Sequence, residues 1–270
     1  MLHTSLLRAH AALFIAVLAT SAQAAQPASC SAASPAHRVA LVELYTSEGC
    51  DSCPPADNWL SSLERERHSH ASGPGKLGDA FVPLALHVDY WDTAQWRDRF
   101  AQSAFTERQK ALTAAGDSQL VYTPEVFVAG HEARNWSNST SFADRVQQLN
   151  AQPSPADIRI TAKTSAAGSV SFDASFAARG ALPADALAYA AVYEDGLQSK
   201  VQGGENAGAT LHHDQVVRHW IGPVPIVDGH ARISGSYEAN PQRGVVAFVQ
   251  RKSTGEVLQV AELSGCAAAP

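Results

Sequence analysis

Apolar runs and helix-like periodicity alternate in the first half of this chain. Within the segment from Arg38 to Leu44, the run from Val39 to Leu44 is apolar apart from Glu43, as is typical of a strand buried on both faces of an α/β sheet. A helix is predicted to begin at Pro54 and Pro55, because the N–H groups of a first helical turn have no intrahelical acceptor and proline has none to lose. The polar segment from Arg65 to Asp79 predicts a loop after this helix.

Further strand and helix patterns follow this loop. The segment from Phe81 to Val88 is typical of a second buried strand, and Asp92 with Gln95 forms a capping box that predicts another helix. The segment from Val121 to Val128 predicts a third strand, and residues 141–149 predict a third helix. This order of elements predicts an α/β layered fold.

A change of pattern after Asn150 indicates a second domain. The segment from Gln152 to Pro155 is typical of a stiff polar linker. Beyond it, apolar residues recur at every second position, as in half-buried strands. The alternating residues are Ile158 and Ile160, Val170, Phe172 and Phe176, Leu187, Tyr189 and Tyr193, Val246 and Phe248, and Leu258 and Val260. We therefore expect the α/β domain to span residues 37–150 and a smaller all-β, sandwich-like domain to span residues 157–266.

The N-terminal residues have the pattern of an export signal. Arg8 precedes an apolar run from Ala11 to Ala19, and Ala22-Gln23-Ala24 has the small-x-small form of a cleavage site. Residues 1–24 are thus predicted to be a signal peptide, with an uncleaved signal anchor as the alternative. No later stretch approaches the roughly 20 apolar residues of a membrane span, so we expect no integral membrane segment. The predicted location is periplasmic or secreted, in a bacterium.

The charge distribution argues against a nucleic-acid partner. The net charge is −6, and the Lys and Arg residues are scattered rather than gathered into a basic stripe. The oligomeric state is left open by these patterns.

Four cysteines allow three disulfide pairings. Export would place them in an oxidising compartment, where disulfides persist. The economical arrangement pairs Cys50 with Cys53 and joins Cys30 to Cys266, near the two ends of the mature chain. The second pair would be a structural disulfide; the alternative is two unpaired cysteines in disordered ends.

The motif Cys50-Asp51-Ser52-Cys53 has the spacing of a redox dithiol. A thiolate attacks a disulfide, so a redox cysteine must ionise near neutral pH and needs a second cysteine to resolve the mixed disulfide. At a strand-to-helix junction, the helix N-terminus would favour a thiolate at Cys50, and Cys53 would act as the resolving cysteine. A zinc site would need a second ligand pair, which the sequence lacks. An inert local disulfide remains the structural alternative.

Two longer segments resemble one known family. They are Val42-Glu43-Leu44-Tyr45-Thr46-Ser47-Glu48-Gly49-Cys50-Asp51-Ser52-Cys53-Pro54-Pro55 and Tyr122-Thr123-Pro124-Glu125-Val126-Phe127-Val128. They are similar to the exported thioredoxin-like family called domain of unknown function 1223. The likeness extends through Tyr193-Glu194-Asp195-Gly196-Leu197 and Gly204-Glu205-Asn206-Ala207-Gly208, so it covers nearly the whole mature chain. It implies a thioredoxin-like fold and a dithiol site, but no substrate.

The resemblance to the thioredoxin superfamily also implies roles for three residues. Thr123 and Pro124 match the cis-proline element that faces the dithiol and pairs with a bound peptide. Glu43 matches the buried acid that accepts the proton of the resolving cysteine; its alternative is a carboxylate that faces an edge or loop. The predicted helix between His87 and Leu120 would be an insertion into the thioredoxin-like domain.

Several other side chains are weaker candidates for the site. His87 and Asp89 end the second predicted strand, where His87 could assist proton transfer, ligate copper with the dithiol, or simply be a buried strand residue. A metal site among His212, His213 and His219 would depend on facing strands rather than on spacing. The aromatic residues Trp91 and Trp96 are candidates for a peptide groove or for the core.

These observations predict an exported thiol–disulfide oxidoreductase that exchanges disulfides with exported protein clients through mixed disulfides. This chemistry needs no cofactor and no metal. The alternatives are a non-catalytic thioredoxin-like binding module with an inert disulfide, and a copper-binding dithiol protein.

Overall fold

The structure is a computed structural model that describes residues 29–69, 80–116, 118 and 120–266. The predicted signal peptide lies outside these residues, as does the part of the predicted loop from residue 70 to residue 79. None of the helices within the described ranges has the length and hydrophobicity needed to cross a membrane.

The described residues form three helices and fourteen strands. The helices are α1 (Pro54–Ser69), α2 (Ser103–Ala115) and α3 (Ser139–Asn150). The strands of the first half are β1 (Ser29–Ala33), β2 (Ala40–Thr46), β3 (Phe81–His87), β4 (Glu125–Val128) and β5 (His131–Glu132). Those of the second half are β6 (Ala156–Thr164), β7 (Ser169–Ala178), β8 (Ala186–Glu194), β9 (Leu197–Lys200), β10 (Thr210–His213), β11 (Val216–Pro225), β12 (His230–Glu238), β13 (Arg243–Arg251) and β14 (Val257–Ser264).

The central feature of the fold is a sheet of eight strands in the order β14-β13-β8-β11-β3-β2-β4-β5. Strands β2 and β3 are parallel, and Thr46 at the end of β2 pairs with His87 at the end of β3. Strand β11 joins β3 in parallel where Val216 pairs with Ala85, and the remaining pairs of this sheet are antiparallel. Strands from the two halves of the chain therefore share one sheet.

Alternation along β2 sorts its side chains between two cores, because successive side chains of a strand point to opposite faces. Val42 and Leu44 pack with Ala56 and Leu60 of α1. Leu41 and Tyr45 belong to the core on the other face, which also contains Phe105 and Leu112 of α2, and Val246 and Phe248 of β13. Helix α1 and helix α2 thus lie on opposite faces of the sheet.

A second sheet of four strands, in the order β1-β6-β7-β12, packs against the C-terminal part of the large sheet. The core between them contains Ile158 and Ile160 of β6 together with Val245 and Ala247 of β13. A disulfide joins Cys30 in β1 to Cys266 just after β14, with 5.8 Å between the two Cα atoms. This is the pairing expected from the sequence.

The predicted fold class is wrong. We expected an α/β thioredoxin-like domain with a helical insertion, followed by a smaller all-β sandwich-like domain, and the molecule is instead mostly β, with a multi-sheet arrangement. The alternation of Val246 and Phe248 suggested a half-buried sandwich strand, but Val245 and Val249 are fully buried as well. Strand β13 is therefore buried on both faces and lies inside the large sheet rather than in a separate sandwich.

The predicted helix at Asp92 does not form. Asp92 accepts a hydrogen bond from the amide of Asp98 (3.0 Å), and the Thr93 hydroxyl accepts from the amides of Gln95 (3.2 Å) and Trp96 (3.1 Å). These side chains compete with helical backbone pairing and hold a turn, so that the first helix after β3 is α2, beginning at Ser103.

The observed ends of two other elements differ by a few residues from the predicted ones. Helix α1 continues to Ser69, so its last residues were wrongly predicted to be loop. Strand β4 begins only at Glu125, after the Thr123–Pro124 peptide, whereas α3 confirms the helix predicted over residues 141–149.

The predicted linker is held against the chain before β2. The amide of Arg38 donates to the carbonyl oxygen of Gln152 (2.9 Å), and the amide of Ser154 donates to that of Ala36 (2.8 Å). Whether residues 37–150 and 157–266 fold independently stays a prediction.

Candidate functional site

The cysteine motif lies where β2 passes into α1. Cys50 and Cys53 form a disulfide. The amide of Cys53 donates to the carbonyl oxygen of Cys50 (3.3 Å), and the amide of Ala56 donates to that of Cys53 (2.9 Å), so the motif continues into the first turn of the helix. Pro54 can follow directly because its position needs no amide donor.

Both cysteines are fully buried, although Asp51 and Ser52 between them are exposed. The disulfide therefore lies directly beneath the exposed residues of the motif. The hydroxyl oxygen of Ser52 is 3.3 Å from the sulfur of Cys50.

A loop from the other half of the chain covers the motif. This cover loop, residues 201–209, connects β9 to β10. The side-chain amide of Asn206 donates to the carbonyl oxygens of Cys50 (2.8 Å) and Glu48 (3.0 Å). The amide of Asp51 donates to the carboxylate of Glu205 (3.0 Å). The amide of Glu205 also donates to the carbonyl oxygen of Gly49 (3.4 Å), so the cover loop binds the backbone of residues 48–51 through four hydrogen bonds.

Two glycines allow the cover loop to approach closely. A Cβ atom on Gly203 would lie 2.8 Å from the carbonyl oxygen of Gln95, which is a steric clash. Gly204 has a φ of +75°, a backbone conformation that side chains disfavour, and a Cβ there would lie 3.4 Å from the Cα of Gly49. This explains the glycine pair in the cover loop.

Trp91 links the cysteine motif to the Thr123–Pro124 element. The Thr123–Pro124 peptide bond is cis. The indole N–H of Trp91 donates to the Thr123 hydroxyl (2.7 Å), and a Cβ on Gly49 would lie 3.2 Å from that of Trp91. Trp91 is half-buried between these two segments, whereas Trp96 packs beside Gly203 of the cover loop.

Glu43 is not beside the disulfide. Its side chain shares a face of β2 with Tyr45, opposite the face that packs against α1. Both carboxylate oxygens accept from Arg108, at 2.6 and 3.1 Å. Burial alone would lower the pKa of Arg108, but Glu43 more than offsets this effect and raises it. The role of Glu43 as a proton acceptor stays a prediction.

A different group of ionisable side chains adjoins the cysteine motif. Glu48 precedes Cys50 by two residues and Asp57 lies in the first turn of α1, while His87, Asp98 and His213 come from elsewhere in the chain. All five are buried. We call these five residues the acid–imidazole cluster.

Short contacts connect the members of this cluster. Nδ1 of His87 is 2.6 Å from the carboxylate of Asp98, which also accepts from the amide of Glu48 (2.9 Å). Nε2 of His213 is 3.4 Å from Glu48, and its Nδ1 is 4.0 Å from Asp57. The two imidazole rings meet edge to face, with 5.0 Å between their centroids.

Several polar atoms of the cluster are buried without a hydrogen-bond partner. They are both carboxylate oxygens of Glu48, both ring nitrogens of His213 and Nε2 of His87. Burial raises the pKa of Asp57, an effect that the two histidines only partly offset. Burial acts to lower the pKa of His87, but Asp98 reverses this and raises it. Asp57 and His87 therefore hold a proton up to a higher pH than they would in solvent.

Sequence reasoning identified only part of this arrangement. His87 was a candidate, but its partner Asp98 and the neighbour Asp57 were missed, although Asp57 lies only four residues after Cys53. The three later histidines do not form the metal site considered for them: His212 and His219 are exposed, whereas His213 is buried. Asp89 accepts a hydrogen bond from Thr106 (2.5 Å).

A further buried carboxylate follows the cis-proline. Glu125 accepts from the side-chain amide of Gln109 (2.6 Å) and has one oxygen without a partner. Burial raises its pKa to about 7. Among the described residues, no three His, Cys, Asp or Glu side chains are arranged to hold a metal ion.

Comparisons with known proteins place this arrangement in a family. A solved structure with a similar fold is the crystal structure of protein AGR_C_4864 from Agrobacterium tumefaciens, a structural genomics target. It is 24% identical, with a TM-score of 0.59, and the match covers 85% of this chain and 96% of that one. No curated protein matches this chain. The family model described as "Protein of unknown function (DUF1223)" matches residues 41–250, and the chain therefore belongs to this family.

Proposed function

We propose that this protein is an exported thiol–disulfide oxidoreductase that exchanges the Cys50–Cys53 disulfide with the thiols or disulfides of exported protein clients. The observation that carries the proposal is the position of this disulfide at the junction of β2 and α1. There the helix N-terminus favours negative charge on a sulfur, and the second cysteine is placed to release a mixed disulfide.

Export is supported by two features. The first is the signal-like sequence of residues 1–24, and the second is the presence of two disulfides, which persist in oxidising compartments. A periplasmic or secreted location suits a protein whose clients are exported proteins.

The cover loop sets a condition on this function. A sulfur must be reached along its S–S axis to be attacked, and both cysteines are fully buried. The sulfurs must therefore become exposed before a client sulfur can react, and we expect this to require movement of the cover loop, which binds the motif backbone.

The same burial favours a second candidate function. If the cover loop stays closed, the disulfide is inert and the protein is a binding module. The two candidates differ in one measurable property, which is whether the Cys50–Cys53 bond exchanges under mild redox conditions.

Exchange is tested by incubating the intact protein in glutathione buffers of graded ratio, followed by acid quenching, alkylation and mass spectrometry. We expect the Cys50–Cys53 pair to follow the buffer, while Cys30–Cys266 in the same molecule remains oxidised as an internal control. A Cys50–Cys53 pair that stays oxidised whenever Cys30–Cys266 does would support the binding module instead.

Client transfer is tested with Cys53→Ala. We expect this variant to accumulate mixed disulfides with exported proteins, because Cys50 can still attack but no second thiol releases the client. Cys50→Ala is the matched control. Equal amounts of adduct in the two variants would remove the oxidoreductase proposal.

A further inference from the structure

We infer that the acid–imidazole cluster of Glu48, Asp57, His87, Asp98 and His213 accepts the proton that Cys50 loses when the reduced dithiol reacts, and so sets the pH at which Cys50 ionises. This inference rests on the proposed function, since it concerns the reduced state of the same dithiol. Glu48 and His213 are its principal positioning residues.

The cluster adjoins the dithiol on both sides. Glu48 lies two residues before Cys50, and the amide of Asp57 donates to the carbonyl oxygen of Cys53 (3.1 Å). Because all of these residues are buried, little solvent screens the charges of the cluster from the sulfurs. A change of one charge in the cluster must therefore alter the free energy of a thiolate at the motif.

Asp98 differs from Glu48 and His213 in its role, which is to hold His87 in place. Burial acts to raise the pKa of Asp98, but His87 and the amides of Glu48 and Phe100 more than offset this and lower it. Asp98 therefore stays ionised and holds His87 through its Nδ1. The carboxylate oxygens of Glu48 and the ring nitrogens of His213 are buried without a hydrogen bond, and Nε2 of His213 lies 3.4 Å from Glu48.

Charges outside the cluster face it from other elements. Arg99 and Arg218 (β11) stack on Phe100, with guanidinium-to-centroid distances of 4.6 and 5.0 Å, and the Phe100 ring contacts both imidazoles. The carboxylate of Asp92 accepts from the amide of Asp98, and the carboxylate of Glu205 in the cover loop accepts from the amide of Asp51. These groups belong to other elements, whereas Glu48 and His213 contact each other inside the cluster, with 3.4 Å between Nε2 of His213 and the Glu48 carboxylate.

In the proposed reaction, the reduced dithiol reduces a client disulfide. The S–H bond of Cys50 breaks, and its proton passes to the cluster. The sulfur then bonds to one sulfur of a client disulfide; the S–S bond of the client breaks, and the departing thiolate takes up a proton. Cys53 next attacks the sulfur of Cys50, and the second client sulfur leaves as a thiol that takes up the proton lost by Cys53. The client gains two electrons, and the dithiol, now a disulfide again, loses two.

The charges give opposite expectations for two substitutions. A carboxylate near a thiolate disfavours ionisation, and an imidazolium favours it. Glu48→Gln should therefore lower the pH at which Cys50 ionises, and His213→Asn should raise it. We expect shifts of about one pH unit each, equivalent to about a tenfold change in thiolate population at a fixed pH.

The experiment measures the ultraviolet absorbance of the thiolate as a function of pH in the reduced, full-length protein, together with its rate of exchange with glutathione disulfide. His212→Asn is the matched control, because His212 is the exposed neighbour of His213 in β10 and should leave the titration unchanged. A purely structural role would not move the two titrations in opposite directions. Glu48→Gln preserves the shape of the side chain, so it tests the inference even if His213→Asn does not fold.

Shifts of the same sign in both variants, or no shift beyond that of His212→Asn, would overturn the inference. The proposed function fails separately: a wild-type dithiol that does not exchange with glutathione disulfide would remove the oxidoreductase, whatever the sign of the two shifts.

Discussion

Buried carboxylates in this protein have different environments, and these decide what each can do. Glu43 has a buried cation at 2.6 Å, Asp98 has an imidazole and two amides, and Glu125 accepts from the side-chain amide of Gln109. Burial away from a cation disfavours the charged form of a carboxyl and so raises its pKa. Burial raises the pKa of Glu125 to about 7, and that of Asp195 likewise to about 7, so the ionisation of these two groups should govern stability near neutral pH.

Substituting Glu125→Gln should weaken the dependence of stability on pH. The pKa of Glu125 is raised from 4.5 to about 7 on folding, so the folded state binds the proton more tightly than the unfolded state. Stability is therefore lost as the pH rises from about 4.5 through about 7. We expect the wild type to lose on the order of 2 to 3 kcal/mol over this range through Glu125, and the variant to lack this loss.

Urea unfolding at pH 5 and pH 8 measures this difference. Glu107→Gln is the control, because Glu107 is an exposed residue of the neighbouring helix α2. A wild-type stability that rises between the two pH values, or an unchanged difference in Glu125→Gln, would contradict the assignment.

At the scale of elements, the hairpin of β9 and β10 brings residues of the second half of the chain to the cysteine motif of the first half. Its strands pair from Thr210 with Lys200 to His213 with Leu197. One end supplies His213 to the acid–imidazole cluster, and the cover loop at the other end supplies Glu205 and Asn206 to the motif. Access to the disulfide is thus expected to depend on the stability of this single hairpin.

Substituting Asn206→Ala should make the Cys50–Cys53 disulfide easier to reduce. The change removes two hydrogen bonds that hold the cover loop to the motif, each contributing about 1 kcal/mol. Since 1.4 kcal/mol corresponds to a factor of ten, we expect reduction by a small thiol to become about 30-fold faster. Stopped-flow reduction followed by alkylation measures this rate.

Gln198→Ala is the matched control on the same hairpin, because the exposed side chain of Gln198 contacts His212 and lies away from the motif. Equal rates in Asn206→Ala and Gln198→Ala would show that the cover loop does not limit access.

At the scale of the whole molecule, the Cys30–Cys266 disulfide joins β1 to the end of β14 across 236 residues. The double substitution Cys30→Ser with Cys266→Ser should lower the free energy of unfolding. The chain-entropy model gives an upper value of about 5 kcal/mol for so long a loop. The midpoint of urea unfolding should fall with it. A double variant as stable as the oxidised wild type would show that the packed sheets alone hold the ends.

The sequence by itself determined the local features that depend on neighbouring residues. Buried runs located β2 and β3, the prolines after Cys53 marked the start of α1, and the cysteine count and positions indicated both disulfides. These features were accessible because burial on both faces, helix starts and cysteine placement leave their patterns within a few residues.

Tertiary structure alone decided which distant segments meet. The pairing of Val216 with Ala85 merges the two halves into one sheet, and residues 201–213 bring Asn206 and His213 to the cysteine motif. Strand partners and buried ionisable neighbours are chosen by packing across the whole chain, and the sequence periodicity of a strand is the same whichever strand lies beside it. The fold class and the acid–imidazole cluster could therefore not be predicted from the local pattern, whereas both disulfides could.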